Sequence, residues 1–407
     1  MSSDVLSRLD LLYRIGEEKG ANRPGLSQAE EEAHRLAGQW LVEAGAEVTR
    51  DGVGNTFGRL QGDDPDAPEL WVGSHLDSVP KGGRFDGALG VVAAIAALER
   101  LHRRRFPRTI AAVALRDEEG WRFGRGFFGS RAVCGLIGES DLALRDRAGV
   151  TVAEALAALG FSAPEPGVPT VAAPGLFVEP HVEQGPVLAE ADAPLGVVRT
   201  IVGMVALRVE FTGAGGHAGT VPLARRSDAL VAAARYITSL RDEIKSLPDA
   251  VVTVGECTVV GAASNVIPSR VAVSVDARAP VGATLARVAE AAERLAQEAA
   301  AGESGTVAVE RLYAQEPVEL DPGIQDVLGR ACGAVGFPPP VLVSGAGHDA
   351  GVLAAAGTDA GILFVRSGGG GASHSPAETT DARAIELAVE ALVVALPELA
   401  EAGNPDT

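Results

Sequence analysis

Three short stretches of the chain gather side chains able to bind cations and move protons. In GSHLDSVPKGGRFDGALG, His75 and Asp77 alternate, so an extended backbone turns them the same way, and Asp86 follows in a glycine-rich turn. An imidazole that binds a metal gains from a carboxylate on its second ring nitrogen, and Asp77 is positioned to supply one. With no bulky neighbours, Asp86 is free to reach two ions; the plainer alternative is a turn rich in Gly and Asp for conformational reasons alone. In LRDEEGWRFG, Asp117, Glu118 and Glu119 put three carboxylates in a row, which repel unless cations or protons intervene. One of them can bind a metal while its neighbour, pointing the other way, moves protons; an acidic turn exposed to water is the bland reading.

The third stretch is split between His181 in FVEPHVEQG and His374 in SGGGGASHSPAE. With His75, Asp86 and Glu119 these complete a ligand set of nitrogen and oxygen donors without a thiolate. Five ligands with one shared carboxylate suit two divalent ions roughly 3.5–4 Å apart, the arrangement of two-metal hydrolases. Such donors accept zinc, manganese, cobalt or nickel. Two other histidines, His34 and His102, lie in charged helical stretches and read as solvated surface.

These residues need elements to position them, and the first 200 or so residues alternate helix and strand signals. Ser27 with Glu30 reads as a capping box opening a helix that stops at Gly45. Glu69–His75 reads as a strand, Ala88–Leu101 as a helix and Thr109–Leu115 as a buried strand. Thr151 with Glu154 is a second capping box, and Gly175–His181 a further strand. Such alternation predicts a mostly parallel sheet covered by helices, with ligands collecting at the carboxyl ends of strands. From Val205 the texture changes to period-2 strands. The order is a strand from Val205, a helix over Ser227–Leu247, a strand near Val251–Val260, an alternating strand around Val271–Val275, a helix over Thr284–Ala301 and a strand at Thr306–Leu312. This β-α-β-β-α-β order is the ferredoxin-like pattern. Beyond Pro317 the first texture returns, with a strand at Ala360–Arg366 and a helix over Asp381–Leu396 that Pro397 ends. The predicted architecture is therefore an α/β domain in two segments, 1–203 and 317–407, interrupted by a smaller α+β domain over 204–316.

Composition narrows the function. The 407 residues carry 35 Lys and Arg against 54 Asp and Glu, a formal charge of −19 that repels phosphate backbones and anionic lipid. Nucleic-acid and membrane partners are therefore not expected. Three scattered cysteines, Cys134, Cys257 and Cys332, give neither a disulfide framework nor a Cys-based zinc site. No apolar leader is visible and no run reaches the 18 or so apolar residues of a membrane span, so the cytoplasm is the expected compartment.

Read together and in order, GSHLDSVPKGGRFDG, EEGWRFG, HVEQG, GGHAGTVP, SNVIP, VDAR, SGAGHDA and ASHSPAE resemble the amidase/hydantoinase/carbamoylase branch of the M20 metallopeptidases. The likeness runs from about Leu41 to Glu378. It implies a metallohydrolase domain with an inserted lid and dimerisation domain, two divalent ions per subunit, and a homodimer formed through the insertion. It implies His75, Asp86, Glu119, His181 and His374 as metal ligands, Asp86 bridging, and Glu118 as the general base. His217 of one subunit would stabilise the oxyanion in the other, Asn265 and Arg278 would hold a substrate carboxylate, and Gln184 and His348 would contact the substrate near the scissile group. Each has a plainer alternative: Arg278 could pair with an acidic neighbour, and His217 could be a turn residue.

The implied reaction is hydrolysis of a linear C–N bond, first of all the carbamoyl group of an N-carbamoyl-L-amino acid, giving amino acid, CO2 and NH3. Allantoate amidohydrolase and β-ureidopropionase are the alternatives, followed by a deacylase or dipeptidase and, last, a binding protein that has lost hydrolysis. The chain departs from the family pattern at Gly216, where Asn or Asp is frequent, and at Pro180, Leu223 and Ala372. None of the four removes a ligand or the base; Gly216, Leu223 and Pro180 bear on the shape of the pocket or its closing, and so on the substrate rather than on the reaction.

Overall fold

The computed structural model describes residues 2–16, 19–247 and 249–401. They form two compact units, one from the chain up to Arg199 and from Leu320 on, the other Thr200–Glu319.

The sheet of the first unit has four parallel strands at its centre, in the order Ile110–Leu115, Leu70–His75, Leu176–Val182 and Asp359–Val365. Antiparallel neighbours flank them: Thr56–Leu60 beyond Ile110–Leu115, and Leu195–Ile201 beyond Asp359–Val365. The parallel arrangement expected from the alternating pattern is thus confined to the centre. There the strands are continuous apolar runs, as burial on both faces requires. Helix Ala88–Leu101 has the bounds its sequence predicts and buries nearly all its length between the sheet and helices Ser2–Arg14 and Ala382–Glu401. All four central strands end on the same side of the sheet. Their carboxyl ends present His75, the Arg116–Glu119 turn and His181 together, in register: His75 lies opposite Leu115, and His181 opposite Phe364.

Helix Gln28–Glu43 starts where expected, with Ser27 Oγ accepting the Glu30 N–H, but the reciprocal half of the capping box is absent. The Glu30 carboxylate turns inward instead, accepting from Leu26 N, Asp117 N and the Arg116 guanidinium. Thr151 and Glu154 do form the full box. His34 corrects the surface assignment: it is fully buried, with Nδ1 3.0 Å from Thr56 Oγ1, because it shares a helix face with Glu30, Ala37 and Leu41. His102 is exposed, as read.

Pro397 does not end the last helix, which runs Ala382–Glu401 with the proline inside. An interior proline costs about 3 kcal/mol. Burial of Leu396, Leu399 and Ala400 in the core offsets this, since each large apolar side chain gains about 1.5–3 kcal/mol.

In the second unit the sheet order is Cys257–Val260, Arg270–Ala279, Gly203–Thr212, Thr306–Gln315, all neighbours antiparallel, which is the ferredoxin-like topology. Helices Ala229–Ile244 and Gly282–Gly302 cover one face, packing on the alternating residues Val205, Leu207, Val209 and Phe211 and on Val271, Val273 and Val275. The strand expected near Val251–Val260 is broken into Val251–Thr253 and Cys257–Val260. At the break, Glu256 bridges to Ser274 through its backbone. Among the described residues no helix is long and apolar enough to cross a membrane.

Candidate metal centre

Two groups of potential ligands share one carboxylate. His75, Asp86 and His181 form the first, and Asp86, Glu119 and His374 the second. Asp86 Oδ1 lies 3.3 Å from His181 Nε2 and 3.8 Å from His75 Nε2. Asp86 Oδ2 lies 3.3 Å from His374 Nε2, which is itself 3.3 Å from Glu119 Oε2. The two oxygens of one side chain therefore face two separate donor groups.

Each group has a distinct support. His75 and His181 stand at the ends of paired strands, and His181 Nδ1 engages the Val182 carbonyl at 2.8 Å, which turns Nε2 toward Asp86. Asp86 is carried by a turn that leads into helix Ala88–Leu101. Gly87 at that junction has φ +60 and runs against the His75 ring, so any larger side chain there would overlap the imidazole. Asp77 is fully buried and serves both the histidine and the acidic turn. Its Oδ1 lies 3.2 Å from His75 Nδ1 and accepts Glu118 N–H at 3.0 Å, while Oδ2 accepts Glu119 N–H at 3.1 Å.

Glu118 is buried, with Oε2 3.8 Å from His75 Nε2. Burial pushes its carboxyl well above the usual range; His75 opposes this, and the Glu119 and Asp349 carboxylates add to it. Glu119 is pushed up to about 7, by burial first and then by Asp86. Burial also works against ionisation of Asp86, but hydrogen bonds with His181 and His374 prevail and hold it well below the usual range. His374 rises to about 9, chiefly through its bond to Asp86. His75 is raised well above its ordinary value: burial opposes protonation, but Glu118, Asp77 and Asp86 outweigh it.

These features fit divalent cations. The donors are imidazole nitrogens and carboxylate oxygens, and Glu119 Oε1 is a buried atom without a hydrogen-bond partner. The neighbouring carboxylates raise the proton affinity of His75, His181 and His374, and cations binding here would compete with those protons. A fixed cation adds to the balance: the guanidinium of Arg23, buried beneath the site, donates to the carbonyls of Leu76 and Leu12.

The remaining predicted residues are placed as follows. Gln184 adopts φ +56 and its amide donates to Asp86 Oδ2 at 3.0 Å and to Ser373 Oγ at 2.9 Å. His348 is buried, its Nε2 2.9 Å from Ser344 Oγ and its ring 4.7 Å from that of His181. Burial, with His181 and His75 nearby, keeps it neutral. In the second unit, His217 pairs with Val266 in a two-stranded ladder, and Asn265 accepts the Ala218 N–H through its carbonyl, so the two residues lie side by side on an exposed edge. Arg278 forks onto Asp276, with Nε 2.8 Å and a terminal nitrogen 3.2 Å from its oxygens, the acidic-neighbour pairing weighed from sequence.

The sequence reading missed four residues that support the site. Glu179 lies two positions before His181 on the same strand face, and it accepts Ser74 Oγ–H and Ala350 N–H. It also forms a third potential donor group with His181 and His348. Glu378 follows His374 by four residues and receives backbone N–H groups at the Asp86 turn. Strand periodicity could have found Glu179, and proximity to His374 could have found Glu378. Arg23 and Glu30 carry no local signal, because their partners are distant in sequence.

The profile of peptidase family M20/M25/M40 matches residues 71–398. An N-carbamoyl-L-amino acid amidohydrolase of Geobacillus stearothermophilus is 36% identical over 405 residues, 97% of either chain. An allantoate amidohydrolase of Bacillus subtilis is 36% identical over 366 residues, covering 88% of this chain and 87% of the relative. Among solved structures, a hydantoinase/carbamoylase-family amidase of Burkholderia multivorans superposes with a TM-score of 0.90 at 32% identity, over 98% of both chains.

Proposed function

This chain belongs to peptidase family M20/M25/M40, and on that premise we propose that it is a metal-dependent amidohydrolase that removes the carbamoyl group of N-carbamoyl-L-amino acids. The observation that carries the reading is Asp86, whose two oxygens face two donor groups beside the buried Glu118, which belongs to neither group. We assign two divalent ions, zinc, manganese, cobalt or nickel, to those groups, one with His75 and His181 and one with Glu119 and His374, Asp86 being common to both. Ions bound there would polarise the carbamoyl oxygen and make water acidic enough to give up a proton near neutrality.

The residues of the chain do the rest. Glu118 takes the proton from the attacking water and returns it to the leaving nitrogen, and its raised affinity for protons suits it to hold one between the two steps. Asp77 keeps Glu118 and Glu119 in place through their backbone N–H groups, so the base and one ligand are fixed by the same carboxylate. Carbamate released from the substrate breaks down to CO2 and NH3. We assign Arg278 and Asn265 to the substrate carboxylate, Arg278 exchanging its Asp276 partner for it. Gln184 and His348 are assigned to the region of the scissile group. The ferredoxin-like unit is assigned to dimerisation and lid closure, with His217 serving the neighbouring subunit's oxyanion. The exposure of His217, beside Leu223 at 81% exposed, supports this. Allantoate is the second reading, because an allantoate amidohydrolase is also 36% identical, over 88% of this chain.

Ammonia release decides between them. Metal-stripped protein reloaded with Mn, Co, Ni or Zn is given N-carbamoyl-L-amino acids, N-carbamoyl-β-alanine and allantoate, with Glu118→Gln as control. Metal-dependent release that is fastest on N-carbamoyl-L-amino acids and vanishes in the control is the expected result. Fastest release from allantoate moves the assignment to the second reading, and silence on every ureido compound overturns both.

A further inference from the structure

We infer that Glu378 is a positioning residue that clasps the loop bearing His374 to the turn bearing Asp86, and thereby sets the affinity of the ion held by Asp86, Glu119 and His374. The inference rests on the metal-centre reading above. Glu378 is buried at 5% exposure and spans the two segments with a single carboxylate. Its Oε2 accepts Phe85 N–H at 2.6 Å and Asp86 N–H at 3.2 Å, while Oε1 accepts from Ser373 Oγ at 3.3 Å. Gly83 passes so close over this carboxylate that a β-carbon there would collide with it.

The two halves of the site differ in what else holds them. His75 and His181 are each held in a parallel ladder of the central sheet, His75 in register with Leu115 and His181 with Phe364. His374 belongs to a loop in which Gly369, Gly370 and Gly371 all have positive φ, as does His374 itself. Such a run has little backbone preference of its own, so an external anchor must select its conformation. Gln184 touches the loop at Ser373, but the anchor that binds the backbone of the Asp86 turn is Glu378, which reaches across 292 residues of sequence to Asp86. Asp86 has a second hold in helix Ala88–Leu101, which starts two residues later. Loss of the clasp therefore releases the loop-borne half and spares the strand-borne half.

The test is titration calorimetry of metal-stripped protein with Mn2+, comparing native chain with Glu378→Ala, Glu378→Asp and Glu378→Gln. Native protein is expected to take up two ions. Glu378→Ala should keep one at native affinity and bind the other about 10–100-fold more weakly, the usual cost of losing a partner behind a ligand. Glu378→Asp keeps the charge but is one methylene too short to span both segments, and should behave like the alanine variant. Glu378→Gln keeps an acceptor for Phe85 N–H and should stay within a few-fold of native. Urea unfolding of the metal-free variants, followed by tryptophan fluorescence, checks that each folds. Native-like uptake by both Glu378→Ala and Glu378→Asp overturns the inference, as does equal weakening of both ions. Failure of Glu378→Gln alongside them overturns it too, since charge rather than reach would then matter. Native protein that binds no ion sinks the metal-centre reading itself, a result separate from any of these.

Discussion

Replacing Asp77 by Asn changes one atom of a side chain that accepts two backbone N–H groups and lies 3.2 Å from His75 Nδ1. Asp77 Oδ1 faces His75 Nδ1 and Glu118 N–H, and Oδ2 faces Glu119 N–H. An amide must put its NH2 at one of these positions, where it meets another donor. With the amide oxygen at Oδ1, two contacts survive and the Glu119 N–H is left without an acceptor. The opposite orientation strands the other two donors and costs more. A buried unsatisfied N–H costs about 1–3 kcal/mol, and a bond to a neutral acceptor in place of a charged one loses about 1 kcal/mol more. Removing a negative charge from an acidic cluster works the other way. That relief is small near neutral pH, because burial already holds Asp117 and Glu118 toward their protonated forms. The net cost in the metal-free protein is therefore about 2–3 kcal/mol.

The three tryptophans, Trp40, Trp71 and Trp121, all lie in the larger unit, so fluorescence during urea unfolding follows that unit alone. The expected order of stability is native, then Asp77→Asn, then Asp77→Ala, which leaves both backbone N–H groups without acceptors. Metal affinity of Asp77→Asn should fall about 10–100-fold in parallel. A metal-free Asp77→Asn protein within about 0.5 kcal/mol of native would refute the reasoning, since a single orphaned donor should exceed that.

Three further outcomes follow from the same structure. Glu118→Gln should bind metal like the native chain yet lose about 10²–10⁴-fold in turnover, as removal of a general base does; weakened metal uptake measured by calorimetry would recast Glu118 as a ligand. His34 is buried, and burial first, with Arg116 and Arg50 nearby, holds its imidazole well below the ordinary 6.5. The unfolded chain thus takes up a proton before the folded one does, so stability is complete above about pH 6.5 and falls by up to about 1.4 kcal/mol per pH unit below it. Urea unfolding at several pH values should give a shallower slope for His34→Gln, and identical slopes would exclude His34 as the source. Arg116→Met leaves the buried Glu30 carboxylate without its cation, at a cost of about 3–5 kcal/mol in thermal or urea unfolding, and adding Glu30→Gln, which removes the charge but keeps an acceptor for the backbone N–H groups, should recover part of it; no recovery would mean that the pair is not coupled.

Much of this site is legible in sequence because its ligands lie next to small residues at strand ends. Apolar runs such as Ile110–Leu115 can only be buried strands, and the polar residues that follow them must then emerge at one edge of the sheet. The inserted unit is legible for a related reason: strict alternation in Gly203–Thr212 and Arg270–Ala279 marks strands with one wet face, and long amphipathic helices between them leave one compact order. At two positions the sequence carries competing local signals. His34 lies among charged neighbours, yet Glu30, Ala33, Ala37 and Leu41 recur at helical spacing around it, which marks the inward face. Pro397 ends a helix by its own chemistry, but Leu396 and Leu399 beside it continue the apolar stripe, and their burial decides the outcome.

The supports of the site were hidden for a different reason: each ligand is local, and what holds it is not. Asp77 illustrates both cases in one residue. Its proximity to His75 follows from a spacing of two in an extended chain, whereas its grip on Glu118 crosses 41 residues and depends on two parallel strands lying side by side. Glu30 grips the Asp117 backbone from a helix 87 residues earlier, and Glu378 grips Asp86 from 292 residues later. Each of these carboxylates binds backbone N–H groups, which every residue except proline offers, so no pairing of residue types in the sequence marks the contact. The chemistry of the centre is therefore written in its motifs, while its rigidity depends on the packing that brings those motifs to one edge of the sheet.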